Sequence, residues 1–244
     1  MKRIKLTVAY DGTNYCGWQI QDNGITIEEV LNRELSKLLQ EDIKIIGASR
    51  TDSGVHALGN VAVFDTQTRI PPEKISFALN QRLPDDIRIQ ESCQVADDFH
   101  PRFCDTIKTY EYRIWNDKFP NPLVRLYSKF CYFNVDVAKM EQAAAYLVGE
   151  HFKSFCTPRT QVESTVRTVT EISFRTEGKM IIMTIRGTGF LYNMVRIIMG
   201  TLLKCGMNMY PPEHVKEILD AKDRAAAGPK AEACGLQLVG IEYL

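Results

Sequence analysis

The first part of the chain carries alternating strand and helix patterns. Apolar and polar residues alternate with a period of two from Ile4 to Val8, which predicts a strand. Apolar residues then recur at helical spacing after Thr26, and Glu29 completes a capping-box pattern, so a helix should begin there. Further elements are predicted as strands over 43–48, 60–65 and 87–95 and as a helix from Pro71-Pro72 to Leu83. The predicted order is therefore β-α-β-β-α-β.

The remainder of the chain repeats this theme loosely. Strands are predicted over 107–115, 129–133 and 236–243, a hairpin over 168–175 and 180–186, and helices from Asp136 to Gly149, over 191–205 and from Pro212. Short strands without regular βαβ alternation predict an α+β fold of mostly antiparallel sheet with helices on one face. We expect two similar subdomains, 1–104 and 105–244, with a catalytic cleft between them.

Composition and charge exclude several classes of protein. The 244 residues are 45% hydrophobic and 25% charged, which is typical of a soluble globular protein. The longest apolar stretch, 191–203, is interrupted by Arg196 and is too short to span a membrane. The N-terminus lacks the apolar run of a secretory signal, so we expect a cytoplasmic protein without membrane attachment. Thirty basic residues balance thirty acidic ones, so binding to a polyanion would need a local basic patch.

The cysteines and histidines favour neither disulfides nor metal. The seven cysteines include no CxxC pair, and the four histidines include no HxxxH pair. Structural zinc sites usually pair their ligands at short spacing. We therefore expect reduced, mostly buried thiols and no metal site.

One loop concentrates reactive side chains. Residues 49–57 (Ser-Arg-Thr-Asp-Ser-Gly-Val-His-Ala) lie between two predicted strands and bring together Arg50, Asp52 and His56. Loops held by rigid strands often carry catalytic groups. The alternative is a plain Asp-Ser-Gly turn in which Asp52 bonds its own backbone.

Arg196 lies within a helix that is apolar nearly all round, which predicts burial. A buried guanidinium needs a carboxylate partner, because an unpaired buried charge is costly. Gly200, one turn further on, would let another backbone approach closely. The sequence leaves open whether Arg196 forms a structural ion pair or holds a catalytic aspartate.

Strand alternation places Tyr110 and Tyr112 on one face of the strand predicted over 107–115, beside Lys108. Aromatic side chains interleaved with cations suit base stacking and phosphate binding. Two tyrosines half-buried against a helix are the alternative. The segment 99–103 (Phe-His-Pro-Arg-Phe) adds similar chemistry just upstream.

Taken together, these segments resemble the tRNA pseudouridine synthase A family over nearly the whole chain and in the same order. The matching segments are 8–12, 17–19, 50–57, 99–103, 108–112, 164–168, 189–196 and 235–236. Ser49 stands where the family more often has glycine, which affects the turn but leaves the reactive groups in place.

The resemblance implies an isomerase that converts uridine to pseudouridine in the anticodon stem-loop of tRNA, at positions 38 to 40. It implies that Asp52 is the nucleophile, that Tyr110 stacks on the target base and that Arg196 pairs with Asp52. Arg50 would hold the displaced nucleotide or fill its place in the stack, and Lys108 and His56 join the predicted substrate-binding set. The family is cofactor-free and works as a homodimer, with one tRNA reaching across both subunits.

Two other functions compete with this interpretation. A non-catalytic RNA-binding protein would keep the basic and aromatic residues but would not need Asp52 and Arg196 together. A hydrolase with an aspartate nucleophile would usually need a second carboxylate as acid, and the 49–57 loop offers none close in sequence. The order of the chemistry also stays open, since a carboxylate can attack C1′ or C6 of the nucleoside or deprotonate C2′.

Overall fold

The structure is a computed structural model that describes residues 1–149, 152–157 and 166–244. These residues group into two compact units, Met1–Asp105 with Gln237–Leu244, and Thr106–Leu236. In the described residues the strands are β1 (Lys2–Tyr10), β2 (Ile46–Gly47), β3 (His56–Thr66), β4 (Ile87–Val95), β5 (Thr106–Asn116), β6 (Lys129–Cys131), β7 (Val169–Glu177), β8 (Met180–Gly187) and β9 (Leu236–Tyr243). The α-helices are α1 (Ile27–Leu39), α2 (Ile75–Asn80), α3 (Val137–Ala145), α4 (Met194–Gly206) and α5 (His214–Ala221). Within the described ranges, no helix is long and apolar enough to cross a membrane.

The first unit is built on β1. This strand pairs antiparallel with β3 on one side and with β4 on the other. The short β2 adds to β3 antiparallel, and the start of β9 pairs parallel with the start of β3, where His56 lies opposite Gln237. The 49–57 loop therefore lies between two strands of the sheet.

Helix α1 forms where the capping pattern predicts it. The Thr26 hydroxyl accepts a hydrogen bond from the backbone N–H of Glu29 at 3.3 Å, which satisfies one of the free donors of the first turn. Its apolar stripe, including Ile27, Leu31 and Leu35, is fully buried. Burial of this stripe explains why the helix is stable in the fold.

The second unit is built on an antiparallel set of three strands in the order β5-β8-β7, and β6 adds parallel to β5. The β7–β8 hairpin turns through Gly178, whose φ of +61° is available to glycine at little cost. Helix α4 is buried at every position except Lys204, as its all-round apolar sequence predicts. The predicted α+β class with mostly antiparallel pairing is confirmed, whereas the cleft and the 104/105 boundary stay predictions.

Several elements are shorter than predicted, for local reasons. The strand predicted over 43–48 is confined to β2, because the N–H groups of Ile43 and Ile45 donate to side chains of α1, Ser36 Oγ and Asn32 Oδ1, both at 2.9 Å. Helix α2 ends at Asn80, whose side chain instead pairs with the backbone of β4.

Two further helix boundaries differ from the prediction. Helix α3 ends at Ala145 and not at Gly149, because the last turn tightens and Tyr146 N–H donates to Ala143 O. Helix α4 begins at Met194 and not at 191, because Asn193 has the left-handed φ of +62°.

Candidate active site

The 49–57 loop is fastened to β1 and β3 by buried polar contacts. The Tyr10 hydroxyl lies 2.7 Å from the Thr51 hydroxyl. Asn60, which is fully buried, accepts from Ser49 N–H at 3.2 Å and donates to Ser49 O at 3.0 Å. These bonds fix Ser49 and Thr51, the residues on either side of Arg50, because breaking any of them would leave a buried polar group without a hydrogen-bond partner.

The segment from Gly12 to Trp18 packs directly against the same loop. A Cβ at Gly12 would overlap the Val55 carbonyl, and a Cβ at Gly17 would lie 2.6 Å from Thr51 O. Trp18 N–H donates to Thr51 O at 3.1 Å. Only glycine allows so close an approach of two backbones, so the segment from Gly12 to Trp18 supports the loop.

Asp52 lies at the turn of this supported loop. Its backbone carbonyl accepts from Val55 N–H at 3.1 Å, and Gly54 takes a positive φ of +76°. Ser53 Oγ and Gly54 N–H both donate to Tyr15 O, at 3.2 and 3.3 Å. The side chain of Asp52 is partly exposed on a backbone held from several directions. A carboxylate on such a backbone is well placed for chemistry on a bound substrate.

The two other predicted residues of the loop differ in exposure. Arg50 is exposed, whereas His56 is 6% exposed. His56 Nδ1 lies 3.1 Å from Gly12 N and 3.1 Å from Asp11 Oδ1. Nδ1 accepts a hydrogen bond from Gly12 N–H. The same nitrogen could donate to the Asp11 carboxylate only if it carried a proton, so the two bonds exclude each other. His56 thus contacts the segment that supports the loop, and its contact with substrate stays a prediction.

Arg196 is 9% exposed on α4, as predicted. Its Nε donates to Ala231 O at 2.8 Å, and its Nη1 donates to Asn193 Oδ1 at 3.2 Å. The backbone carbonyl of Arg196 accepts from Ala231 N–H at 3.0 Å. The guanidinium is therefore oriented by the chain that follows Gly228.

That chain lies against α4 because of Gly200. A Cβ at Gly200 would overlap Pro229 O and would lie 3.3 Å from Ala231 N. The close backbone approach predicted at this glycine is confirmed.

Tyr110 and Tyr112 share the buried face of β5, as the alternation predicts. Tyr110 is 8% exposed, and its ring packs against Phe190 in a T-shaped arrangement with a centroid distance of 5.2 Å and an angle of 84°. The Tyr112 hydroxyl donates to Glu232 O at 2.8 Å, and burial raises the pKa of Tyr112 well above its usual range. Lys108 lies on the same strand, half-buried. The aromatic side chains are therefore rigidly held.

The predicted site residues fall into two groups. Arg50, Asp52 and His56 share one loop of the first unit, whereas Lys108, Tyr110 and Arg196 belong to the second unit. The Asp52–Arg196 ion pair and stacking on Tyr110 join the two groups and stay predictions. Ser164 and Thr165, in the matching segment 164–168, lie outside the described residues.

The sequence reasoning missed Asn60 and gave no separate role to Arg102. The signal for Asn60 was present, since a lone amide at the start of an apolar strand needs buried partners. Among the described residues, no cluster of three or more histidine, cysteine, aspartate or glutamate side chains is suited to hold a metal ion.

Comparison with known proteins identifies the class. The family described as tRNA pseudouridine synthase matches residues 6–104 and 143–244. The chain belongs to this family, which is a family of isomerases, so the resemblance read from the sequence is confirmed.

Individual relatives match over their full length. The tRNA pseudouridine synthase A of Acetivibrio thermocellus is 43% identical over 244 residues, covering 100% of both chains. The tRNA pseudouridine synthase A 2 of Clostridium perfringens is 46% identical over 244 residues, and the tRNA pseudouridine synthase A of Ruminiclostridium cellulolyticum is 46% identical over 245, again with 100% of both chains covered.

Proposed function

We propose that this protein isomerises uridine to pseudouridine in the anticodon stem-loop of tRNA, at positions 38 to 40, with Asp52 as nucleophile acting on a flipped-out base. The observation that carries the proposal is the supported loop, which presents one partly exposed carboxylate on a backbone fixed by Tyr10, Tyr15 and Asn60. Family membership supplies the reaction class.

The reaction explains what Asp52 must do. Isomerisation breaks the N1–C1′ bond, rotates the freed uracil and rejoins it through C5. The nucleoside is neither oxidised nor reduced, and no second reactant takes part, so amino-acid side chains can carry out the reaction. Asp52 attacks C1′ or C6, or deprotonates C2′, and each route needs the carboxylate ionised. Arg196 secures that state by pairing with it.

The target base must leave the RNA helix before it can react. Flipping a base costs a few kcal/mol. Stacking on Tyr110, whose ring packs against Phe190 in a T-shaped arrangement, returns about 1–3 kcal/mol. Arg50 holds the displaced nucleotide or fills its place in the stack, and Lys108 and His56 complete the binding set. Phosphate contacts supply the remaining free energy, which makes binding dependent on salt.

The proposal extends to partners and location. The protein acts as a homodimer, with one tRNA reaching across both subunits, in the cytoplasm where unmodified tRNA is available. Light scattering of the protein alone and with tRNA measures both stoichiometries, and a monomer that retains full activity would contradict the dimer.

The decisive experiment compares Asp52→Asn with the parent on unmodified tRNA made by transcription. We expect pseudouridine from the parent and none from Asp52→Asn, while the dissociation constant for tRNA stays close to that of the parent. Because the carboxylate takes part in the chemistry and contributes little to tRNA affinity, the substitution should abolish product formation and leave the dissociation constant nearly unchanged. Asp220→Asn, which changes an exposed aspartate on α5, is the matched control and should be fully active.

The same assay separates the competing functions. Released uracil would indicate a hydrolase, and binding without any product would indicate a non-catalytic RNA-binding protein. Measurable turnover by Asp52→Asn would contradict the role given to that residue.

A further inference from the structure

Arg102 lies next to the catalytic loop, although the proposed chemistry gives it no part. Its Nε donates to Gly47 O at 2.6 Å. Gly47 ends β2 and lies three residues before Arg50. Arg102 is thus bonded, from 55 positions away in the chain, to the strand that leads into the loop.

Arg50 and Arg102 bring two like charges to the same surface of the first unit. Both residues are exposed, and within the described ranges neither forms an ion pair with a carboxylate. Partial burial of the Arg102 guanidinium lowers its pKa, and the positive charge of the neighbouring Arg50 lowers that pKa further, whereas the Glu28 carboxylate raises it. Glu28 accepts a hydrogen bond from Ile20 N–H at 3.0 Å. Two cations held near each other gain free energy when an anion binds to both.

An exposed aromatic residue, Phe103, follows Arg102 directly in the chain. Phe103 is 84% exposed, and its ring stacks on His100 at a centroid distance of 4.0 Å and an angle of 15°. The stack is built into a tight turn, in which Phe103 N–H donates to His100 O and Arg102 N–H donates to His100 Nδ1, both at 3.2 Å. The turn therefore fixes the ring while leaving most of it in solvent. A ring held in this way can stack on a base without further ordering of the side chain.

We propose that Arg50, Arg102, His100 and Phe103 form a nucleotide subsite for the RNA chain next to the modified uridine. The two guanidinium groups bind one phosphate, and the Phe103 ring stacks on the base of an unpaired nucleotide. Planar guanidinium forks match the geometry of phosphate oxygens, and stacking on an aromatic ring accepts any base. The subsite deepens the proposed function and rests on it, since it assigns a place to the substrate's neighbouring nucleotide.

The phosphate contact is tested with Arg102→Gln against Arg82→Gln, a matched change of an exposed arginine in the same unit. The dissociation constant of an unmodified anticodon stem-loop RNA is measured over a series of salt concentrations in the Asp52→Asn background. We expect Arg102→Gln to weaken binding and to flatten the slope of log Kd against log salt by about 0.7 to 1. A slope equal to that of Arg82→Gln overturns the phosphate contact.

The base contact is tested with Phe103→Ala, which changes an exposed side chain and should not affect folding. Loss of stacking should raise Kd by about 5-fold to 150-fold without changing the salt slope. Phe103→Tyr keeps the ring and should restore the parent Kd. Phe77→Ala, which removes another exposed phenylalanine of this unit, is the control and should bind like the parent. A Phe103→Ala protein that binds like Phe77→Ala overturns the base contact.

The failures of the two proposals are distinguishable. Pseudouridine formation on the same RNA is measured with the parent and with the Arg82→Gln and Phe77→Ala controls, which change residues outside the subsite and should be active. A parent that makes no pseudouridine refutes the proposed function. An active parent whose Phe103→Ala and Arg102→Gln variants match their controls refutes the subsite alone.

Discussion

Replacing Gly200 by alanine tests whether the chain after Gly228 orients Arg196. The new Cβ would overlap the Pro229 carbonyl, so the 228–231 segment must move away from α4. Three hydrogen bonds join this segment to the helix. They are Arg196 Nε to Ala231 O at 2.8 Å, Ala231 N to Arg196 O at 3.0 Å and Gly228 N to Thr201 Oγ1 at 2.9 Å.

The magnitude follows from these bonds. Each neutral bond contributes about 0.5–1.5 kcal/mol net, and the bond from the guanidinium about 1.5–3 kcal/mol. Alanine offsets about 1 kcal/mol of the loss through its better helix propensity. We therefore expect Gly200→Ala to lower the free energy of unfolding by roughly 2–5 kcal/mol. In a chain of this length each kcal/mol shifts Tm by about 2–4 °C.

The assay is thermal unfolding followed by circular dichroism, together with pseudouridine formation on unmodified tRNA. The control is Gly240→Ala in β9, where a Cβ would meet nothing within 4 Å. We expect a lower Tm and lower activity for Gly200→Ala only, because Arg196 loses the groups that aim it. If both alanine variants melt within a degree of each other, the close contact does not orient Arg196 and the reasoning is wrong.

Two further predictions concern the second unit. Burial raises the pKa of Glu111, but bonds from Arg175 at 2.8 Å and Arg113 at 3.2 Å outweigh it and lower that pKa overall. These ion pairs therefore stabilise the fold above pH 4.5, the ordinary pKa of a glutamate. The stabilisation is lost as the pH falls through the lower pKa that Glu111 has in the folded protein. Glu111→Gln should cost about 1–2 kcal/mol at pH 7 in urea unfolding, given the partial exposure of Arg175, and a cost that persists unchanged at pH 3 would contradict the ion pair. Tyr110→Phe keeps the ring against Phe190 and should retain KM and kcat for tRNA; a fall in kcat at constant KM would instead assign the hydroxyl a proton-transfer step.

The sequence predicts those features of the fold that depend on near neighbours. The Thr26 cap needs only the N–H three residues on, and burial of α4 follows from its own apolar residues. The close approach at Gly200 was predictable because a glycine in a buried helix has few other uses. The length of β2 was not, because the donors of Ile43 and Ile45 are taken by side chains of α1 that no local pattern reveals.

The candidate site shows the same division. The reactive loop is a continuous stretch and can be read directly from the sequence. Its supports are long-range, since Thr51 meets Tyr10 from 41 positions away and Arg102 reaches Gly47 from 55. Such contacts depend on strand register, which composition and spacing do not determine.

The zero net charge of the chain is consistent with an anionic substrate once the distribution of charge is considered. Several arginines are neutralised by carboxylates within the fold, as in the pairs Arg3–Asp65, Arg33–Glu34, Arg88–Asp85 and Arg175–Glu111. Arg50 and Arg102 have no such partner within the described residues and lie where the loop carrying Asp52 begins. Internal pairing removes these arginines from competition for phosphate, whereas Arg50 and Arg102 stay available at a defined place. The overall balance of charge then affects solubility, whereas affinity for RNA depends on which cations the fold leaves unpaired.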